Sequence, residues 1–174
     1  MNISWEILKH EELTTCCKNQ IAVIKDQHWK HGMKSQLDWM DKNICYGDLH
    51  LVGKLQNDKN ERICAYLNLV HINASFDGNE NECIGVGNVC VDKEYEHIGY
   101  GSLLLNQANE YLLKLGKQGI LLCKDALVPF YEKCNWEKIF SKQVRIRSKD
   151  YIDNVMSFPI VKQHIDEIKL DRNF

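Results

Sequence analysis

Residues 86–112 read VGNVCVDKEYEHIGYGSLLLNQANEYL. An apolar run ends at Val91, a polar loop follows, and Gly99 and Gly101 lead straight into a leucine-rich pattern. Leu104, Ala108, Tyr111 and Leu115 then fall on one stripe of a helix. The stretch is a strand, a loop and a glycine-opened helix. The start of such a helix gathers unpaired backbone N–H groups and the positive end of the helix dipole. Glycine has no Cβ, so an anion can approach the backbone closely. A phosphate is the natural ligand, which makes the acidic Glu96 beside it the unexpected residue.

A dinucleotide fingerprint, G-x-G-x-x-G, matches at Gly99 and Gly101, with Asp125 about where a ribose-binding acid stands, but it fails at Leu104. The loop DKEYEHI also separates the strand from the glycines, where the dinucleotide turn is tight. Only one β-α-β unit is visible, and a dinucleotide fold needs several.

Outward from this stretch, the chain of 174 residues suits one domain, 1–174, with a proper core. Hydrophobic residues at 44% and charged residues at 26% are an ordinary globular balance. A net charge of −2 gives no support for a broad nucleic-acid-binding face, so no nucleic-acid partner is expected. No apolar run approaches the roughly 20 residues of a membrane helix, so no membrane association is expected. The opening MNISWEILKHEEL has no basic region followed by an apolar stretch, which makes a cytoplasmic location the expectation. The eight cysteines form no C-x-x-C pair and sit mostly among Ile, Leu and Val. They read as small core residues, and no metal is expected.

ISWEIL (3–8) alternates as a first strand. Leu13, Cys17, Ile21 and Ile24 lie on one helical face, with Gly32 as the C-terminal breaker and Ser35 capping a short second helix. DLHLVGKL (48–55), RICAYLNLVHI (62–72) and CIGVGNVCV (83–91) read as successive antiparallel strands. QNDKNE (56–61) turns between the first two, and the acidic NASFDGNENE (73–82) is a loop before the third. After the glycine-opened helix, which Gly116 ends, GILLCKD (119–125) is a buried strand. ALVPFYEKC is a short helix with Pro129 near its start, and WEKIFSKQVRI and DNVMSFPI supply two closing strands. The fold class expected is α/β: a central mixed, twisted sheet of about seven strands flanked by about four helices.

The strand, loop and x-x-G-x-G helix of 86–112 resemble motif A of the GNAT superfamily, the acyl-CoA-dependent N-acyltransferases. GILLCKDALVPFYEKCNWEKI (119–139) resembles the family's motif B, with YEKCNW standing for YEKxGF and Asn135 taking the place of the glycine. The element order agrees with the family fold. The resemblance implies acetyl-CoA as co-substrate, with the pyrophosphate held at Glu96, His97, Ile98, Gly99, Tyr100, Gly101 and Ser102. It places the pantetheine arm along Val89, Cys90 and Val91, bonded as an added strand would be. Lys124 completes the expected coenzyme set, in place of an Asn that often ends the motif B strand. The family usually carries Arg or Gln at the position of Glu96, so His97 or Lys93 is the expected substitute charge.

The implied reaction is N-acetyl transfer to a primary amine, an amine acceptor expected to be a small molecule, directly in a ternary complex. Tyr131 matches the tyrosine that many members use as the acid. A phenol near pKa 10 can protonate a leaving thiolate within hydrogen-bond reach. Backbone N–H groups near Cys90 or Val91 are candidates to polarise the thioester carbonyl. Gly85 and Gly87 leave space either for the acceptor or for packing. Trp29, Trp39 and Glu82 are the substrate candidates, with Tyr46 as a further pocket wall. Asp77, Glu80 and Glu82 form an acidic loop that could draw a cationic amine. The general base stays open among Glu82, His50, His71 and a water chain. Cys90 and Cys123 lie inside strands, which favours packing over an acyl-enzyme. An acyl-CoA-binding regulatory module without turnover and a protein N-acetyltransferase are the alternatives, and a homodimer is admitted.

Overall fold

The computed structural model describes residues 3–57, 60–159 and 165–174. In chain order the elements are β1 (Ile3–Lys9), α1 (Thr15–His28), α2 (Met33–Asn43), β2 (Leu49–Asn57), β3 (Asn60–Phe76) and β4 (Asn79–Val91). There follow α3 (Tyr100–Leu115), β5 (Gln118–Cys123), α4 (Val128–Lys133), β6 (Glu137–Ile139), β7 (Gln143–Ile146), β8 (Lys149–Asp150), β9 (Asn154–Phe158) and β10 (Glu167–Leu170). The α/β class holds, and the described residues form ten strands where about seven were expected. WEKIFSKQVRI breaks into β6 and β7 because the two segments pair with different partners, β9 and β10. The very short β8 and the late β10 carry too little pattern to be read from sequence. The tip of the QNDKNE turn and the last residue of DNVMSFPI lie outside the described residues.

The chain divides into two compact units, one of Met1–Val70 and Asn88–Ala108, the other of His71–Gly87 and Asn109–Phe174. In the first unit β1, β2 and β3 form an antiparallel ribbon, with Ile3 opposite Leu55 and Leu49 opposite Leu69. A register shift at Gly53 and Lys54 interrupts the second pairing. Gly53 is required there: a Cβ would stand 2.6 Å from the Trp5 ring. Thr14 caps α1, its hydroxyl oxygen accepting the Cys17 N–H at 3.2 Å. Helix α1 then buries Ile21, Ala22, Ile24 and Lys25.

Helix α2 begins earlier than Ser35. Gly32 is its N-cap at φ 82°, and the Asp26 carboxylate accepts the Gly32 N–H at 2.7 Å. Gly32 thus introduces α2 instead of ending α1, because the short link between the helices needs a left-handed residue.

In the second unit the strand order is β6-β9-β5-β4-β3-β10-β7-β8. The pairs β4–β5 and β10–β7 are parallel, while β5–β9, β6–β9, β3–β10 and β7–β8 are antiparallel, so the sheet is mixed. The expected acidic loop is a two-residue hairpin turn. Asp77 at φ 49° and Gly78 at φ 84° join β3 to β4. An Asp-Gly pair with both φ positive is the turn that matches strand twist. The α3 stripe is rotated from the one expected: Leu104, Leu105, Ala108 and Leu112 are fully buried, whereas Leu115 is exposed. Each of those leucines contributes about 1.5–3 kcal/mol of burial. Gly116, at φ 62°, ends the helix as expected.

Candidate functional site

The first unit holds the end of β4, the loop after it and the start of α3. The β4–β5 ladder stops at Val86 opposite Leu121, while β4 runs on to Val91. Asn88 takes φ 53° inside that continuation, and its side-chain amide donates to Asn68 Oδ1 at 2.5 Å. The left-handed residue thus falls on Asn88 and not on the neighbouring glycines. The Asp92 N–H donates to the Cys64 carbonyl on β3 at 2.7 Å. Successive residues of a strand alternate direction, so the backbone groups of Val91 point to the other side.

The loop is tied down at several points. Arg62 donates to Asp92 at 2.7 Å and to Glu94 at 2.9 Å. The Lys93 N–H donates to Gln27 Oε1 at 2.9 Å. Tyr95 and Tyr100 stack at 6.1 Å. His97 at φ 63° and Gly99 at φ 95° turn the chain into α3. Only Gly99 of the two adopts such a φ without steric cost. A Cβ at Gly99 would meet no atom within 4 Å, so the space above it is open. The Leu103 N–H reaches the Gly99 carbonyl at 3.1 Å and opens the helical ladder. The N–H groups of Tyr100, Gly101 and Ser102 precede it, and no acidic residue occupies the first turn of α3. The donor set and the local charge fit a phosphate.

Glu96 is half-buried against α1, its Oε1 3.8 Å from His28 Nδ1. His28 Nε2 donates to the Val91 carbonyl at 2.7 Å. A single histidine therefore spans the end of β4 and the anomalous carboxylate, and the contact is an ion pair when the imidazole carries both protons. His97 and Lys93 are exposed.

Next to this strand, a cavity of about 190 Å³ is lined by Lys25, Trp29, His31, Gln36, Trp39 and Asn88. Both tryptophans expected as substrate walls are here, whereas Tyr46 is 87% exposed and is not among the lining residues. Sequence reading missed Lys25 and His28. Their signal was the helical period: Ile21, Ile24, Lys25 and His28 fall at i, i+3, i+4 and i+7, which puts a lysine on the buried face.

His50 is fully buried on β2 in a chain of hydrogen bonds, 2.9 Å to His10 and 2.9 Å to the Tyr66 hydroxyl. Burial pushes its imidazole down to about 3, so it stays neutral near pH 7 and is a weak base. Cys90 is buried, and the same cause pushes its thiol up to about 12. At neutral pH it is therefore no thiolate nucleophile.

The second unit holds Tyr131 on α4, 6% exposed and edge-on to Phe130 at 5.2 Å. The carbonyl of Tyr131 accepts the N–H groups of Cys134 and Trp136. Asn109 then locks the segment: its amide donates to the Cys134 carbonyl at 2.9 Å and its carbonyl oxygen accepts from Trp136 Nε1 at 2.9 Å. Asn135 takes φ 67°, the conformation for which a glycine would otherwise be needed. Lys124 is exposed just after β5. Cys123 is buried and its thiol pushed up to about 11 by desolvation.

Glu82 is bound to Lys117 at 2.6 Å, which lowers its pKa, and it remains exposed. Asp77 Oδ1 accepts the N–H groups of Asp166 and Glu167, a structural use. Gly85 lies under Phe174, whose ring would be 2.5 Å from a Cβ, so packing fills the space that the glycine leaves. Among the described residues no group of three or more His, Cys, Asp or Glu side chains converges as metal ligands would, and no helix is long and apolar enough to cross a membrane.

The sequence profile of the acetyltransferase (GNAT) domain matches residues 51–138. No curated protein matches significantly. Among solved structures, Escherichia coli ElaA superposes with a TM-score of 0.64 at 17% identity, covering 90% of this chain and 99% of that one. The E. coli GNAT family N-acetyltransferase YhbS, solved in complex with CoA, gives 0.61 at 14% identity, covering 97% and 91%. A Brucella melitensis GNAT family acetyltransferase, solved in complex with acetyl-CoA, gives 0.57 at 14% identity, covering 94% of each chain. At these identities the structural likeness shows the fold.

Proposed function

The chain belongs to the GNAT acetyltransferase family, and from that premise we propose that it transfers an acetyl group from acetyl-CoA to the primary amine of a small molecule, directly within a ternary complex. The observation that carries this reading is the junction of β4 with α3. Beyond its ladder with β5, the end of β4 leads through a pinned loop into α3, and the space above Gly99 at the start of that helix is open. The pyrophosphate is assigned to the N–H groups of residues 98–102, and the pantetheine amides to the strand end at Val89, Cys90 and Val91. The pairing of Glu96 with His28 supports a role for its backbone, not its carboxylate, in that loop.

Tyr131 is assigned as the acid that protonates the departing thiolate, on its match to the motif tyrosine. The high thiol pKa of Cys90 and of Cys123 supports direct attack by the amine over an acyl-enzyme. His50 is a poor choice of base for the same kind of reason, and proton loss from the amine is assigned to solvent.

Thermal unfolding against acetyl-CoA, longer acyl-CoAs and NAD tests the reading, since a ligand bound only by the native state raises the melting temperature. Acetyl-CoA is expected to raise it most, and amines are expected to release free thiol from acetyl-CoA. Stabilisation by NAD alone would overturn the assignment. Stabilisation by acetyl-CoA without thiol release on any amine would leave a binding module.

A further inference from the structure

The cavity beside β4 contains a feature that acetyl transfer by itself does not require. Lys25 is 1% exposed, and its ammonium has no hydrogen-bond partner among the described residues. The ammonium lies 4.0 Å from the centroid of the Trp39 ring. Trp29, 38% exposed, forms part of the same lining. Among the described residues, no Asp or Glu lines the cavity. A buried ammonium left without a counter-charge is unfavourable, and a ring face compensates only in part. What the site lacks is an anion.

We propose that this cavity seats the carboxylate of the acceptor, so that the substrate class is a small amine that also carries a carboxylate, an amino acid. The proposal rests on the acetyltransferase reading and narrows it. Lys25 pairs with the carboxylate, and the Trp29 and Trp39 rings cover the short carbon frame. About 190 Å³ is less than the roughly 300–1,000 Å³ that hold drug-sized molecules, so the occupant is small. Asn88 belongs both to the cavity lining and to the end of β4, and Lys25 lines the same cavity. The carboxylate pocket and the strand that would present the thioester are therefore neighbours within one unit. Burial lowers the Lys25 pKa to about 8, which leaves the group mostly protonated at pH 7 and able to pair.

The test compares glycine, β-alanine, 4-aminobutyrate and ornithine with methylamine, ethylamine, propylamine and putrescine, each pair differing by the carboxylate. Thiol release from acetyl-CoA gives kcat/KM, and calorimetry on the coenzyme-free protein gives binding. At least one amino acid is expected to exceed its decarboxylated partner by about 10²-fold in both readouts. Lys25→Met should erase that preference while melting no lower than the parent, because it removes an unpaired buried charge. Lys25→Arg should retain part of it. Equal handling of both series, or a Lys25→Met variant that keeps the preference, overturns the proposal while leaving acetyl transfer intact. Lysine-dependent binding of an amino acid with no acetyl transfer would instead sustain the pocket and remove the reaction.

Discussion

Tyr131 shows how a single residue is placed by others. Its own side chain is a nearly buried phenol, but its position follows from Asn109, which bonds both the Cys134 carbonyl and the Trp136 indole. Tyr131→Phe removes one oxygen and leaves that lock untouched. Turnover is expected to fall about 10²-fold with the acetyl-CoA dissociation constant unchanged, measured by steady-state thiol release and by calorimetry. Unchanged turnover would remove the phenol from the reaction. Glu96 is the complementary case. Its acidity looks wrong for a phosphate loop in one dimension, and in three dimensions the carboxylate is held beside His28, which also binds the end of β4.

At the scale of elements, the glycine-opened start of α3 and the strand β5 make opposite demands on glycine. In the proposed function Gly101, in the first turn of α3, gives the pyrophosphate room to approach from outside. Gly101→Val should abolish acetyl-CoA binding by calorimetry while the circular-dichroism melt moves little, since valine costs a helix well under about 1 kcal/mol. Gly119 in β5 is required for what lies inside. A Cβ there would stand 2.6 Å from Leu112 and 2.8 Å from the Trp136 ring, with the Phe158 carbonyl at 3.3 Å. Gly119→Ala should therefore destabilise the protein by about 1–3 kcal/mol in urea unfolding, the usual cost of overpacking. A melt as high as the parent's would show that the Leu112 and Trp136 side chains yield freely.

For the molecule as a whole, the buried His50 links stability to pH. Its folded pKa of about 3 lies below the ordinary value of 6.5, so the unfolded chain binds the extra proton between those limits. Stability thus falls as pH drops below about 6.5, and between pH 7 and pH 5 the loss from this residue is about 2 kcal/mol. His50→Gln, which cannot titrate, should flatten the dependence of unfolding free energy over that interval. An equal slope in the variant would assign the acid sensitivity elsewhere. The interval lies above the ordinary carboxylate range, which keeps the two effects apart.

Much of this protein is local and therefore legible in one dimension. The two glycines at the start of α3, the leucine period and the YEKCNW segment sufficed for the α/β class and the family, because helix starts and turns are set by neighbours in the chain. Asn135 stands in the sequence where the motif has glycine, and it takes φ 67°, a conformation asparagine tolerates. What the tertiary structure decided depends on partners remote in sequence. The division of WEKIFSKQVRI between two strands follows from β9 and β10. The role of Gly85 follows from Phe174, and the pairing of Glu96 follows from His28. The cavity of Lys25 arises from the same cause: periodicity puts the lysine on a buried face, but only the packing of α1 and α2 with the end of β4 leaves its ammonium without a counter-charge.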